Sequence, residues 1–233
     1  MGMPRKRLRV VAALAAAAIA LLGGAVWLVG SGRVSITSTS RPEDRCAIDI
    51  PAVPAGSDRD GDGIDDGEDV LASALAYVGT RPRYRSAYYA GGYPDDGCGV
   101  CTDVVAFALR GAGYDLMELV AKDEADAPGA YGDAAPDPAI DFRRVRNLQV
   151  FFSRHAESLR TDVGDVDSWQ GGDIVVFEGH IGVVSDRRNA DGVPYVIHHE
   201  GPFQLSYEED ILSGRQGSIV GHYRVSEIGR AHV

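Results

Sequence analysis

The fold is decided by residues 173–199, "DIVVFEGHIGVVSDRRNADGVPYVIHH". Short runs rich in β-branched residues alternate here with Gly, Asn and Asp, which is the pattern of strands joined by turns. A further run of this kind, "SIVGHYRV" at 218–225, follows the hairpin. The C-terminal half of the chain therefore predicts an antiparallel β-sheet.

Helical patterns precede these strands. Apolar residues recur at helical spacing in "DVLASALAYVG" (69–79), and similar helix-like runs are "TDVVAFALR" (102–110) and "VRNLQVFFSRHAESL" (145–159). Residues 125–140 are rich in Pro, Gly, Ala and Asp, which indicates either a disordered insertion or a functional loop. Helices followed by a meander of strands predict an α+β fold.

The N-terminus carries a membrane-targeting signal. Basic residues at 5–9 precede an uncharged run from Val10 to Gly32. A spanning helix needs ~20 residues, whereas a cleavable signal has an apolar stretch of ~7–15. We therefore favour an uncleaved membrane anchor at residues 1–32, with a cleaved signal as the alternative. Basic residues ahead of the span predict that the domain is extracytoplasmic, in the periplasm or at the cell surface. The stretch 33–57 is rich in Ser, Thr, Pro and Gly and is interpreted as a tether to the domain.

Length and charge limit the class of protein. The chain of 233 residues is long enough for one domain with a sizeable core, which we place at 68–226. A formal net charge of -11 argues against nucleic acid as a partner. The last residues, "EIGRAHV" at 227–233, resemble the translation of a sequencing adapter and are interpreted as an artefactual tail.

An acidic loop at 58–69, "DRDGDGIDDGED", precedes the first helix of the domain. Alternate carboxylates on a tight turn converge on one hard cation, as in EF-hand loops. The spacing predicts a structural Ca²⁺ site rather than a solvated acidic linker, because carboxylates this dense repel one another. The predicted ligands are Asp58, Asp60, Asp62, Asp66 and Asp69.

Two cysteines in "GCGVC" (97–101) stand directly before the second helix of the domain. A cysteine at a helix N-terminus feels the positive end of the helix dipole, and a nearby imidazolium lowers its pKa further. Cys101 has this position, so it is predicted to be a nucleophile whose thiolate is populated near neutral pH. A Cys98–Cys101 redox pair, a zinc clip and a buried structural thiol are the alternatives.

Two histidines of the hairpin offer a base and a group that orients it. A turn centred on Asn189 places His180 opposite His198, and a slip of two residues would still keep both rings on one face. A thiol, a base and a polar group beside that base form the Cys–His–X version of nucleophilic catalysis. His199 points to the other face and is the reserve candidate if the strand register is shifted.

Four blocks of the sequence, in order, resemble a known family. They are "YYAGGYPDDGCGVCTDVVAFALRGAGYDL" (88–116), "PDPAIDFRRVRNLQVFFSRH" (136–155), the hairpin with the residues just before it (169–199), and "VGHYR" (220–224). These blocks are similar to the bacterial domain-of-unknown-function family 1287, related to the NlpC-type papain-like cell-wall cysteine peptidases. The resemblance covers about residues 68–226.

The resemblance implies a papain-like α+β core, with the nucleophile at the head of a helix that packs on an antiparallel sheet. It implies Cys101 as nucleophile, His180 as base and His198 as orienting group, and it places Tyr88 near the nucleophile. Relatives cleave peptidoglycan stem peptides, so a peptide or peptidoglycan amide is the expected substrate, and no organic cofactor is implied. The alternatives are a non-catalytic, calcium-stabilised cell-wall-binding module and a thiol–disulfide oxidoreductase that uses Cys98 with Cys101.

Two further predictions concern charged residues and cysteines around this site. Arg143 and Arg144 are predicted to bind the carboxylates of a stem peptide, and Asp141 beside them is predicted to contact the substrate, with surface ion pairs as the alternative. Disulfides persist outside the membrane, so a Cys46–Cys98 bridge is predicted that pins the tether and leaves the nucleophile free.

Overall fold

The computed structural model describes residues 5–132, 135–226 and 228. Its helices are α1 Arg5–Gly30, α2 Asp66–Gly79, α3 Cys101–Gly111, α4 Leu116–Asp126, α5 Pro128–Tyr131, α6 Pro138–Asp141, α7 Val145–His155 and α8 Leu212–Arg215. Its strands are β1 Arg83–Tyr84, β2 Cys98–Gly99, β3 Glu157–Ser158, β4 Ile174–Phe177, β5 His180–Arg188, β6 Pro194–Ile197, β7 Glu208–Glu209 and β8 Ile219–Arg224. The predicted α+β class, with helices that largely precede an antiparallel sheet, is confirmed.

The main sheet has six strands in the order β3-β8-β4-β5-β6-β7, and every neighbouring pair is antiparallel. Strands β1 and β2 form a separate parallel pair directly before α3. The predicted strands of the hairpin and "SIVGHYRV" are the four inner strands of the main sheet. They place the start of β5 near the centre of the molecule.

The sheet separates two apolar clusters because side chains alternate between its faces. On one face, Ile181 and Val183 of β5 pack with the apolar sides of α2, α3 and α7. On the other face, Val184 and Val196 pack with Trp169 and with α8. This division puts the helix start at Cys101 on the first face, against β5.

The register of the β5–β6 hairpin differs from the predicted one by two residues. Val183 lies opposite Ile197, so that His180 falls opposite residue 200 instead of 198. The cause is the turn, which lies beyond Asn189: the Asn189 side-chain oxygen accepts the N–H groups of residues 191 and 193. A bulge between Val184 and Arg188 accommodates the longer turn.

Helix α1 is the single helix in the described ranges that is long and apolar enough to cross a membrane, with a mean hydropathy of 2.3 over Arg9–Gly30. None of that stretch is buried inside the protein. Its length and composition fit a membrane anchor and also a signal sequence.

The segment 33–57 was predicted to be a tether, but the structure shows it bound along the domain. Ser38 forms a bridge with Ser206, and the Arg45 N–H donates to the Arg188 carbonyl at 2.9 Å. The Arg41 guanidinium binds the Glu208 carboxylate through two hydrogen bonds of 3.0 Å. Composition alone does not report such specific contacts.

The structure contains helices that the sequence patterns did not predict. Helix α4 was not predicted, although Asp115 caps its N-terminus by accepting the N–H of Met117 at 3.0 Å. The stretch 125–140 contains the short helices α5 and α6, and residues 133 and 134 lie outside the described residues. The predicted artefactual tail also lies outside them, apart from residue 228.

Candidate active site

Cys101 is the first residue of α3, where the backbone changes from extended to helical. Val100 is extended, and its N–H donates to the carboxylate of Asp103 at 2.8 Å, which caps the start of the helix. The Cys101 side chain is partly buried against the helix-side apolar cluster. The predicted helix start is therefore confirmed, and the thiol lies at its N-terminus.

The sulfur of Cys101 lies against the backbone of β5. The paired part of β5 and β6 ends at Val183 and Ile197, and the next N–H on that edge of β5 belongs to Ile181. The Ile181 N–H lowers the pKa of the Cys101 thiol, so it faces the sulfur at a place where a longer β6 would have supplied a carbonyl. The sulfur is thereby held beside the residue that follows His180.

The two predicted histidines meet in spite of the shifted register. His180 Nε2 and His198 Nδ1 are 3.0 Å apart, with the rings edge to face, and both side chains are buried. Gly182 makes this possible, because a Cβ there would lie 3.3 Å from the His198 Cβ and 2.5 Å from a methyl of Val196. The glycine of "HIGVV" leaves the space into which His198 leans toward His180.

Glu209 continues this chain of contacts from the edge strand β7. Its carboxylate lies 3.2 Å from His198 Nε2. The Gln204 amide nitrogen lies 3.3 Å from the same ring nitrogen, but its two hydrogens have carbonyl acceptors at His198 and Ser206. We therefore place the His198 N–H on Nε2, toward the carboxylate, with Nδ1 as an acceptor. In this arrangement His180 Nε2 is the donor in the pair, and His180 Nδ1 is unprotonated.

The electrostatics of the site differ from the prediction that Cys101 is a thiolate near neutral pH. Burial raises the pKa of the Cys101 thiol to about 11, although the N–H groups of Ile181 and Thr102 lower that pKa. Burial, and after it the charge of a protonated His198, lowers the pKa of His180. The helix dipole is real but is outweighed by desolvation, so the resting site contains a thiol and a neutral imidazole.

Alkylation of Cys101 should therefore depend steeply on pH. In a Cys46→Ser, Cys98→Ser background, we expect the rate with iodoacetamide to rise about tenfold per pH unit between about pH 7 and about pH 10, because only the thiolate reacts. The measurement is mass spectrometry of the intact, detergent-solubilised chain after timed quenching. A rate that is already level at neutral pH would show that the thiol is ionised there, as the sequence-based prediction held.

Two tyrosines precede the nucleophile in the chain and bear on the predicted role of Tyr88. Tyr88 is 60% exposed and lies beside Asp137. Tyr84 of β1 lies near Cys101. Burial raises the pKa of its hydroxyl, and the charges on Cys101 and Glu200 raise it further. The parallel pairing of β1 with β2 brings Tyr84 opposite Gly99, just before the nucleophile.

The predicted substrate-binding Arg143 is an internal residue. Its guanidinium forms a two-point ion pair with Asp103 at 2.6 and 3.0 Å, and the two side chains are 2% and 0% exposed. A third contact of 2.7 Å runs to the Ala87 carbonyl. All its donors point inward, so Arg143 supports the start of α3 and is not available to a substrate.

Arg144 and Asp141 form the ion pair that was the alternative to substrate binding. The pair is 3.0 Å long, with Arg144 48% exposed and Asp141 3% exposed at the side chain. Arg144 retains open donors toward solvent. Substrate binding by Arg144 stays a prediction.

The acidic loop brings three of its five predicted ligands together. Asp58, Asp60 and Asp62 are exposed and offer oxygens within 4.8 Å of one another. Asp69 faces the cluster: burial, and then the charges of Asp62 and Asp60, raise its pKa, and its Oδ2 has no hydrogen-bond partner among the described residues. Asp66 is the exception.

Asp66 is completely buried, and its carboxylate is occupied by protein donors. The donors are the hydroxyls of Ser57 and Tyr114 and the N–H of Arg59. Asp66 thus ties the loop to the domain and is not placed as a cation ligand. Spacing alone predicted it, because its long-range partner Tyr114 is invisible in the loop sequence.

All three cysteines are free, and the predicted Cys46–Cys98 bridge is absent. Cys46 lies at the turn end of the hairpin, where a Cβ on Gly192 would be 3.6 Å from its sulfur. Cys98 is buried in β2, at the other end of the molecule's central strands and next to β1. The bound course of residues 33–57 carries Cys46 away from Cys98.

Sequence reasoning missed Glu209, Glu200 and Tyr84 as residues of this site. Glu209 and Glu200 belong to a long return after His199, and the edge strand β7 has only two residues, too few for a periodic signal. The available signal for Glu209 was the run of three acidic residues directly after Tyr207 in "LSYEED". His199 itself packs edge-on against Tyr84 and Tyr207, away from the other two histidines.

Comparison with known proteins supports one family and no solved fold. The family described as "Domain of unknown function (DUF1287)" matches residues 71–225. Over 163 residues the chain is 42% identical to the "Uncharacterized protein YijF" of Escherichia coli (strain K12). The aligned region covers 66% of this chain and 76% of that protein. No solved structure matches the chain.

Proposed function

This chain belongs to the DUF1287 family, a domain of unknown function, and from its site we propose that it is an extracytoplasmic cysteine hydrolase that cleaves a peptide amide of the cell wall. The feature that carries the proposal is the position of the Cys101 thiol at the start of α3, where it faces the N–H of Ile181, the residue that follows His180 in β5. The same arrangement, with a nucleophile at a helix start and a base on an antiparallel sheet, supports an NlpC-type papain-like fold.

The proposed reaction uses the thiol and the imidazole as a coupled pair. His180 Nδ1 takes the thiol proton as the Cys101 sulfur attacks the carbonyl carbon of the amide. The Cys101 N–H is placed to stabilise the oxyanion, and the His180 imidazolium then protonates the leaving amine. Water, activated by the neutral imidazole, hydrolyses the resulting thioester. Attack coupled to proton transfer suits a site whose resting thiol is un-ionised.

The substrate class rests on location and on the resemblance to cell-wall peptidases. Helix α1 fits an anchor or a signal sequence, and either one would deliver the domain outside the cytoplasm. Peptide amides of peptidoglycan are the amides exposed there. Incubating the detergent-solubilised chain with purified muropeptides and measuring the products by mass spectrometry tests the proposal. Product pairs that together gain one water, formed by wild type and not by Cys101→Ala, are the expected result.

A non-catalytic wall-binding module is the second candidate, and one observation favours it. Burial raises the pKa of the Cys101 thiol, which is the behaviour of an inert structural cysteine. This candidate predicts that muropeptides bind the chain and are recovered intact. The third reading, a thiol–disulfide oxidoreductase, requires an accessible partner sulfur, whereas Cys98 is 2% exposed.

We also propose that the acidic loop binds a structural Ca²⁺. The exposed oxygens of Asp58, Asp60 and Asp62 and the unpartnered Oδ2 of Asp69 are hard donors of the kind that Ca²⁺ prefers. A cation there would relieve the repulsion among these carboxylates. Because Asp66 of the same loop is bonded to Tyr114, the cation would stiffen the junction between the loop and the domain.

Calcium should raise the thermal stability of the chain. At a concentration 100 times its Kd, a ligand of the native state adds about 2.7 kcal/mol, which corresponds to about 5–10 °C in Tm for a chain of this size. The measurement is thermal unfolding of the detergent-solubilised chain in excess Ca²⁺ and in excess chelator. The shift should vanish in Asp60→Asn/Asp62→Asn and persist in Asp49→Asn, which alters an exposed aspartate outside the loop. An equal shift in both variants would contradict the assignment.

A further inference from the structure

The histidine pair has a third neighbour that the proposed reaction does not use. His180, His198 and Glu200 each offer one ligand atom, and the three atoms lie within 4.8 Å of one another. Two imidazoles and one carboxylate form a ligand set of zinc sites in which a fourth position stays open. We propose that these three residues bind a divalent transition metal of the Zn²⁺ type and that the bound metal inhibits the hydrolase. The inhibition rests on the proposed function, whereas the binding does not.

The spacing of the two ring nitrogens suits a metal. His180 Nε2 and His198 Nδ1 are 3.0 Å apart. In a tetrahedral site with Zn–N bonds of about 2.0–2.1 Å, two ligand nitrogens lie about 3.3 Å from each other. Replacing the shared proton by a metal therefore changes the distance between the two nitrogens by only about 0.3 Å, and each ring turns so that its lone pair points to the metal.

The second ring nitrogen of His198 already has the partner that metal-bound histidines usually have. Its Nε2 lies 3.2 Å from the Glu209 carboxylate. Such a carboxylate fixes the tautomer, so that the opposite nitrogen presents its lone pair, and it makes the ring a better ligand. His198 Nδ1 is thereby prepared as a ligand before any metal arrives.

Glu200 gives the site its access to solvent. Its side chain is 42% exposed, while the two histidines are buried. Both carboxylate oxygens accept from the Arg215 guanidinium, at 2.7 and 2.6 Å. A carboxylate has about four acceptor positions, so each oxygen keeps a lone pair for a cation. A metal can therefore enter from the Glu200 side while Arg215 holds the carboxylate in place.

Metal occupancy would remove the base by moving one proton. In the metal-free pair, His180 Nε2 carries the hydrogen and Nδ1 is free to accept the thiol proton. A metal on Nε2 needs the lone pair there, so the hydrogen of the neutral ring must lie on Nδ1. The ring keeps its single proton, and its lone pair is committed to the metal. Cys101 then has no acceptor.

Zinc binding is tested without substrate. The detergent-solubilised full chain is titrated with Zn²⁺ by isothermal calorimetry, with excess Ca²⁺ present so that the acidic loop is occupied. We expect one ion per chain, with affinity reduced at least about tenfold in His198→Gln and in Glu200→Gln. Cys101→Ala and Glu178→Gln should bind as the wild type does, since Glu178 is an exposed carboxylate on the neighbouring turn. Thermal unfolding of each variant shows that it is folded.

The outcomes separate the two proposals. Absence of binding, or binding that Glu200→Gln leaves unchanged, overturns the metal site. Binding that disappears in Cys101→Ala places the metal on the cysteines and also overturns it. With muropeptide as substrate, Zn²⁺ should inhibit the wild type at least tenfold more strongly than Glu200→Gln. A chain that binds Zn²⁺ and hydrolyses nothing retains the site and overturns the inhibitory role.

Discussion

Replacing Cys101 by alanine is expected to abolish amide hydrolysis, with a fall in kcat of about 10⁴-fold or more. In the proposed reaction the sulfur is the atom that attacks, so its removal leaves the site without a nucleophile. The fold should persist, because alanine is compatible with the first turn of a helix and the cap between Val100 and Asp103 does not involve the thiol. The readout is the appearance of cleaved muropeptides under single-turnover and multiple-turnover conditions.

Cys98→Ala is the matched control for this experiment. Cys98 is buried in β2 three residues earlier, and its N–H donates to Asp96, so the substitution removes a sulfur from the same motif without touching the head of α3. The control should keep activity within about tenfold of wild type. Equal loss in both variants would indicate that the two sulfurs act as a pair, and unaffected hydrolysis in Cys101→Ala would remove the cysteine mechanism.

Replacing Arg143 by methionine is expected to lower the free energy of unfolding by about 3–5 kcal/mol. The change leaves the Asp103 carboxylate, which is 0% exposed, without its cation. Among the described residues, the hydrogen-bond donor that remains for that carboxylate is the Val100 N–H. Methionine fills much of the volume, so the loss reports the uncompensated charge and not a cavity. Chemical denaturation of the solubilised chain measures it.

Arg144→Met serves as the control for Arg143→Met. It removes the adjacent guanidinium, which is 48% exposed in its pair with Asp141. Although the Asp141 carboxylate is 3% exposed, it keeps the Asp137 N–H after the change and the lost guanidinium is half solvated, so the effect should be smaller than that of Arg143→Met. Similar losses in the two variants would show that Arg143 acts through surface charge, contrary to its buried geometry.

The sequence was sufficient for those parts of the site that depend on local rules. A helix start at Cys101 follows from the apolar spacing after it, and strand parity keeps His180 and His198 on one surface under any slip of two residues. The strand register was wrong because Asn189 bonds its own loop and lengthens the turn. That interaction is local, but several turn lengths compete, and sequence does not choose among them.

The remaining errors concern contacts between residues that are distant in sequence. The pairing of Arg143 with Asp103 spans forty residues, and the link from Asp66 to Tyr114 spans a similar distance. Glu209 reaches His198 only because a two-residue edge strand pairs with β6. The pKa of Cys101 was mispredicted for the same reason, since desolvation depends on what packs around the helix start.

If the chain is the proposed hydrolase, the bound course of residues 33–57 limits how far from the membrane it could act. A free chain of that length would extend to ~85 Å and let the domain sample a deep layer of the envelope. Here the contact between Arg41 and Glu208 fixes this segment to the domain and shortens its free length. The contact lies one residue from Glu209 of the candidate site. Phe203 also lies against the end of α1, where a Cβ on Gly30 would be 3.3 Å from its ring. If α1 stays in the bilayer, Cys101 is therefore held close to the membrane. Newly made peptidoglycan at the membrane surface would then be within reach, whereas peptidoglycan farther out would not.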